Sequence, residues 1–140
     1  PIFEKEMLNG LTALPGAYEI LKGLKKKKIK TAVLTNKYGP HARVACKHLG
    51  FDKYLEFTLG ANDTNWKKPD LQLTQFALKK IGTSASQTLY IGDSPFDFQT
   101  ASNASMPCIL VPTGTHNREE LSLLCENVEI KPNLLSIFPL

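Results

Sequence analysis

The sequence predicts an α/β fold, a parallel sheet flanked by helices, and three observations lead there. Short runs rich in β-formers, at residues 31–34, 57–61, 89–91 and 108–111, alternate with stretches of helical periodicity. The connections between them are short and punctuated by glycine and proline, with no repeat, low-complexity segment or long linker. Polar residues able to carry chemistry follow, or lie just beyond, the carboxyl ends of those runs, the edge at which open α/β sheets bind ligands.

Composition sets the frame. A chain of 140 residues that is 42% hydrophobic can bury a real core and leaves little room for a second domain, so residues 1–140 are expected to form a single domain. Within it, residues 1–14 read as an arm or short helix and residues 15–140 as the core. The net charge of +4 comes largely from Lys25, Lys26, Lys27 and Lys28, with Lys22 and Lys30 beside them. Cations at a helix C-terminus complement its dipole, and no aromatic residues are interleaved, so the run is expected to be a solvated helix end and no nucleic-acid partner is expected. Three cysteines, Cys46, Cys108 and Cys125, lack metal or redox spacing, which argues for a reducing compartment without disulfides. No apolar run approaches a membrane span and no signal peptide is visible, so the protein is expected to be cytoplasmic with no membrane partner. The chain opens on Pro1 and its first methionine is Met7, so its start is expected to be processed, cloned or internal to a longer protein.

The elements follow in order. From Ala17 a helix places Ala17, Ile20, Leu21 and Leu24 on one face. The strand at 31–34 ends in Thr35-Asn36-Lys37. Gly39-Pro40 then starts a helix expected to turn Val44, Ala45, His48 and Leu49 inward and to stop at Gly50. After the strand at 57–61 comes a polar loop, then Lys67-Lys68-Pro69-Asp70. Pro69 is expected to open a helix with Leu73, Phe76, Ala77 and Ile81 buried and Gly82 at its end. The strand at 108–111 leads into a loop at 112–117, a helix at 118–125, a short edge strand at 128–130 and a closing helical turn at 133–138.

The most informative stretch is residues 88–104. Leu89-Tyr90-Ile91 reads as a strand, Gly92 and Asp93 as its end, and Ser94-Pro95 as the cap and first residue of a helix. Asp97 follows Asp93 by four residues and so shares its bearing, which brings two acids to one strand mouth. A lone Asp-Ser-Pro would only cap a helix. The close pair beside a glycine and an apolar strand points to function.

Taken together, Leu34-Thr35-Asn36, Lys68-Pro69-Asp70 and Gly92-Asp93-Ser94-Pro95-Phe96-Asp97 resemble the second, third and fourth motifs of the haloacid dehalogenase-like hydrolases, most closely the phosphoglycolate phosphatase branch. Leu14-Pro15-Gly16 resembles the point where that branch returns from its cap domain to the core. The resemblance implies a Rossmann-like sheet and a phosphatase that transfers a phosphoryl group to an aspartate and then to water. It assigns Thr35 and Asn36 to hydrogen-bonding the phosphoryl oxygens and Lys68 to neutralising them. Asp93 becomes a Mg²⁺ ligand. Asp97 becomes the second motif acid, orienting metal-bound water or pairing with Lys68, and Ser94 an outer hydrogen-bonding partner. The implied substrate is a small phosphorylated metabolite. A phosphoglucomutase-like enzyme would share the same core motifs.

The family's first motif, a strand ending in Asp-x-Asp, has no counterpart among Asp52, Asp63, Asp70, Asp93 and Asp97. The resemblance therefore implies that the nucleophile is not in this chain and that the central strand carrying it is missing, so that the chain alone is expected to be inactive. That would leave the strands at 31–34 and 89–91 facing a gap. Three explanations stand open: a longer phosphatase of which this is the C-terminal part, which is preferred; a noncatalytic relic that closes on itself or self-associates; or completion by an N-terminal segment from a second chain.

Overall fold

The computed structural model describes residues 16–112 and 116–137. They form an α/β structure of parallel strands and flanking helices, as the periodicity predicts. They cluster into two compact units: residues 16–65 with 134–137, and residues 66–133. The arm at 1–14, the Leu14-Pro15 pair, Thr113 to Thr115 of the loop and Phe138 of the closing turn lie outside the described residues.

In the first unit, α1 (Ala17–Lys26) buries Ala17, Ile20, Leu21 and Leu24, the i, i+3, i+4, i+7 stripe read from the sequence. Each large aliphatic of that stripe contributes about 1.5–3 kcal/mol by leaving water. Gly16 caps the helix at φ 86°, in the left-handed region, and a side chain there would also approach Leu135 Cγ to 2.8 Å. Leu135 belongs to a 3₁₀ turn (Leu134–Ile137) whose Leu134 and Ile137 are buried. The lysines at 25–28 are exposed, as expected of a helix end.

Strand β1 (Val33–Tyr38) runs four residues past the expected end at Leu34 and pairs in parallel with β2 (Thr58–Ala61). The reason is a bulge. Leu34 pairs with Leu59 and Tyr38 with Ala61, so Thr35, Asn36 and Lys37 stand opposite Gly60 alone. Helix α2 (Gly39–His48) differs from expectation in its phase. It buries Gly39, Ala42, Ala45 and Cys46, while Val44 is 67% exposed and His48 also faces outward. A stripe of small residues, i, i+3 and i+4, lets this helix lie close to the strands, and Val44 falls on the opposite face.

The second unit carries β3 (Tyr90–Gly92), β4 (Cys108–Leu110) and β5 (Glu129–Ile130), parallel and in that order. β5 is the predicted edge strand. Helix α3 (Leu71–Ile81) begins two residues after Pro69, because Asp70 takes the cap and accepts the Gln72 N–H at 2.8 Å. It buries Leu73 and Thr74, while Phe76 is 41% exposed beside Trp66. Helix α4 (Pro95–Asn103) follows β3, and α5 (Arg118–Leu124) follows β4 under an Asn117–Glu120 capping box. Leu110, Leu121 and Cys125 form a core that Phe98, Cys108, Val128 and Ile130 cover. The three cysteines are free thiols, two buried and Cys108 half-buried.

Among the described residues, β1 pairs only with β2, and β3 only with β4. Among those residues, each unit thus presents a strand edge without a further strand. No described helix is long and apolar enough to cross a membrane.

Candidate active site

The site is built from the second unit. Gly92 ends β3, Ser94 holds the extended N-cap conformation, and Pro95 is the first residue of α4. Asp97 therefore sits at the third helical position, where exposed backbone N–H groups favour a carboxylate. A side chain at Gly92 would collide with Asp97, so the glycine is what lets this acid fold back over the strand end.

Asp97 is buried and, among the described residues, accepts four donors. Lys68 Nζ (3.2 Å) and Tyr90 Oη (3.0 Å) donate to Oδ1, while the Asp93 N–H (3.0 Å) and Ser94 Oγ (3.2 Å) donate to Oδ2. A carboxylate offers about four lone-pair positions, so each has a partner. Ser94 thus serves Asp97 rather than the helix end, since its side chain makes no cap hydrogen bond. The Lys68–Asp97 ion pair is almost wholly enclosed, with side-chain exposures of 6% and 3%.

Lys68 reaches this position from a short braced segment. The Asp70 N–H returns to the Lys67 carbonyl at 2.8 Å, the Lys68–Pro69 peptide is cis, and Asn103 Nδ2 donates to the Pro69 carbonyl at 3.0 Å, tying the segment to the end of α4. Lys67 is exposed and Lys68 buried, which separates the two adjacent lysines physically.

The electrostatics divide the two acids. Burial works to raise the Asp97 carboxyl, but neighbouring positive charge, including Lys68, and the Asp93 N–H hold it below the ordinary carboxylate range. Burial first, and then the Asp97 charge, push Asp93 up to about 6. Burial followed by the same charge pushes the Tyr90 phenol well above its usual value, so it remains a proton donor.

The structure brings Lys68, Asp93, Ser94 and Asp97 together in this unit. Thr35 and Asn36 lie in the first unit, in the bulge of β1. Thr35 is buried and its Oγ1 accepts the Lys37 N–H at 3.1 Å, while Asn36 is exposed. That bulge is braced at Gly60, where a side chain would collide with the Lys37 carbonyl and with Gly39. Asp63 adds a second brace: it accepts the Gly60 N–H at 2.7 Å and hydrogen bonds from both terminal guanidinium nitrogens of Arg43, the nearer at 2.7 Å.

Tyr90 was legible only as an apolar strand residue. The available signal was chemical, because a buried tyrosine hydroxyl requires a partner and the nearest acids in sequence are Asp93 and Asp97.

Residues 1–111 match the family described as haloacid dehalogenase-like hydrolase. This chain belongs to that family. A phosphoglycolate phosphatase of Pseudomonas syringae pathovar tomato is 32% identical over 105 residues, covering 74% of this chain and 39% of that protein. A phosphoglycolate phosphatase of Rhodospirillum rubrum is 31% identical over 122 residues, covering 87% of this chain and 50% of that protein. The chain thus spans half or less of the length of these relatives. Among solved structures, a haloacid dehalogenase-superfamily hydrolase from Ehrlichia chaffeensis superposes with a TM-score of 0.77 at 27% identity, covering 90% of this chain and 56% of that one.

The family implies a Mg²⁺ ion. Among the described residues no three His, Cys, Asp or Glu side chains gather to form a metal cage. Mg²⁺ does not need one, since it takes one or two carboxylates and keeps several waters. A half-buried Asp93 raised to about 6 beside a second carboxylate is a group whose ionised form a cation would stabilise, so the residues fit the ion.

Proposed function

We propose that this chain supplies the phosphate-neutralising and cation-binding part of a Mg²⁺-dependent phosphoric monoester hydrolase of the phosphoglycolate phosphatase type. The observation that carries the reading is the enclosed Lys68–Asp97 pair next to Asp93 at the end of β3. Lys68 is an ammonium held in a protected place, suited to meeting the charge of a phosphoryl group. Asp97 orients it. Asp93 would hold the cation, which when bound would neutralise charge on the transferring group. Asp97, with four donors already on its oxygens, would have to release one to join Asp93 as a ligand, so the geometry favours Asp93. Thr35 and Asn36 are proposed to hydrogen-bond phosphoryl oxygens, and Ser94 to act through Asp97. The substrate is proposed to be a small phosphorylated metabolite and residues 1–140 to belong to one core domain.

The same reading takes the nucleophilic aspartate to lie outside this chain. The 140-residue chain, given a generic phosphate ester and Mg²⁺, is expected to show no turnover above background. Robust turnover that Asp93→Asn abolishes, with no added segment, would overturn the missing-nucleophile reading. The lack of an Asp-x-Asp pair favours one second reading, a noncatalytic module that kept a phosphate or cation pocket. Calorimetric titration of the chain with phosphate and Mg²⁺ separates that module, which binds, from a fragment of a broken enzyme, which does not.

A further inference from the structure

Lys68 and Asp97 come from segments 29 residues apart, and the carboxylate between them is fixed from a third direction. That direction is β3. Tyr90 is paired in the sheet with Cys108, is 7% exposed, and donates its hydroxyl to the same Oδ1 that receives Lys68. The two donors on Oδ2 arise from the turn Asp93-Ser94 and are local to Asp97. Tyr90 and Lys68 are the only donors among the four that come from outside this turn.

We propose that Tyr90 is a positioning residue for Lys68: its phenolic O–H, anchored in the buried strand, takes one lone-pair direction of Asp97 Oδ1 and leaves the carboxylate to present the other to the ammonium. Without the hydroxyl, the carboxylate has one donor fewer holding its tilt, and the ammonium gains a second direction from which to approach Oδ1. A protonated ammonium has three rotatable donors and no intrinsic directional preference, so its precision has to come from the acceptor. The consequence for phosphate rests on the function proposed above; the hydrogen-bond arrangement itself does not.

The test uses Tyr90→Phe, which deletes one hydroxyl and keeps the ring. The readout is the Lys68 side-chain ammonium in nitrogen-15 NMR spectra, assigned through its own side-chain connectivities. In the parent chain a held ammonium gives a resolved, slowly exchanging signal. In Tyr90→Phe that signal is expected to shift and to exchange with water about tenfold faster, while the amide spectrum keeps the native pattern. An unchanged Lys68 signal in a natively folded variant, or no resolved Lys68 ammonium in the parent, overturns the proposal. Should Tyr90→Phe fail to fold, replacing the tyrosines with 3-fluorotyrosine preserves shape and strengthens donation. A shifted Lys68 signal then supports the proposal, and an unmoved one overturns it. Titration with inorganic phosphate reads the functional consequence separately, with affinity expected to fall about threefold to tenfold in Tyr90→Phe. A parent chain that binds no phosphate marks a fragment of the enzyme rather than a binding module, and the ammonium signal then decides the role of Tyr90.

Discussion

Replacing Asp97 with asparagine tests the centre of the site. The substitution keeps shape and removes charge, and whichever way the amide turns, its NH₂ group must face two donors. Those are either Lys68 Nζ and Tyr90 Oη, or the Asp93 N–H and Ser94 Oγ. Each pair holds one hydroxyl, which can turn to accept from the NH₂, and one obligate donor, whose hydrogen bond to an ionised acceptor is lost at about 1.5–3 kcal/mol. The full loss is larger, because removing one partner of a buried ion pair costs about 3–5 kcal/mol, so Asp97→Asn is expected to lower stability by about 3–5 kcal/mol. Lys68→Met is expected to cost less, about 1–3 kcal/mol, because Asp97 keeps the three donors from Tyr90, Asp93 and Ser94. Urea unfolding followed by fluorescence is a suitable assay, since Trp66 is the sole tryptophan and lies in the same unit as the pair. A loss below about 1 kcal/mol for Asp97→Asn, or a larger loss for Lys68→Met than for Asp97→Asn, refutes the four-donor account.

Two predictions concern the first unit. Gly60→Ala would drive a Cβ into the Lys37 carbonyl and Gly39, backbone that cannot rotate away, and is expected to cost about 1–3 kcal/mol or more. Amide spectra should show the disturbance at residues 33–38 and 58–61, and a native spectrum with unchanged stability would remove the tight-bulge argument. Asp63 is held below its ordinary pKa by the Arg43 hydrogen bond foremost, against some burial, so its contribution is present above about pH 4 and is lost as pH falls through the lower native value. Because Arg43 is 46% exposed, solvent screening keeps that contribution under about 1 kcal/mol. Asp63→Asn should flatten this part of the stability profile below pH 4, and a profile identical to the parent's would show that the pair carries no linkage.

Much of the site could be read along the chain because its parts are local. Asp93, Ser94 and Asp97 occupy one turn, and their spacing converts directly into geometry through a strand end, a cap and the first helical residues. The α1 stripe was legible for the same reason, since a 3.6-residue period over ten residues leaves little freedom of phase. Helix α2 was not: its buried residues are small, so the single large aliphatic, Val44, drew the apolar face to the wrong side. The bulge in β1 was invisible because a register shift depends on the partner strand, here on the close approach that Gly60 allows. Pro69 suggested a helix start, yet Asp70 supplies the cap and sets the boundary two residues later.

What the sequence determined alone was the order of parallel strands and helices, the family, and the acids at residues 93 and 97. These follow from periodicity, caps and contiguous motifs, which are properties of neighbours in the chain. The tertiary structure decided how the acids differ. Lys68 comes from before α3 and Tyr90 from β3, and both reach one oxygen of Asp97. Asp97 is thereby stabilised as an anion, while Asp93, half-buried beside that charge, is raised to about 6. Hydrogen bonds and burial between segments distant in sequence set which carboxylate binds a lysine and which stands beside that charge with a raised pKa.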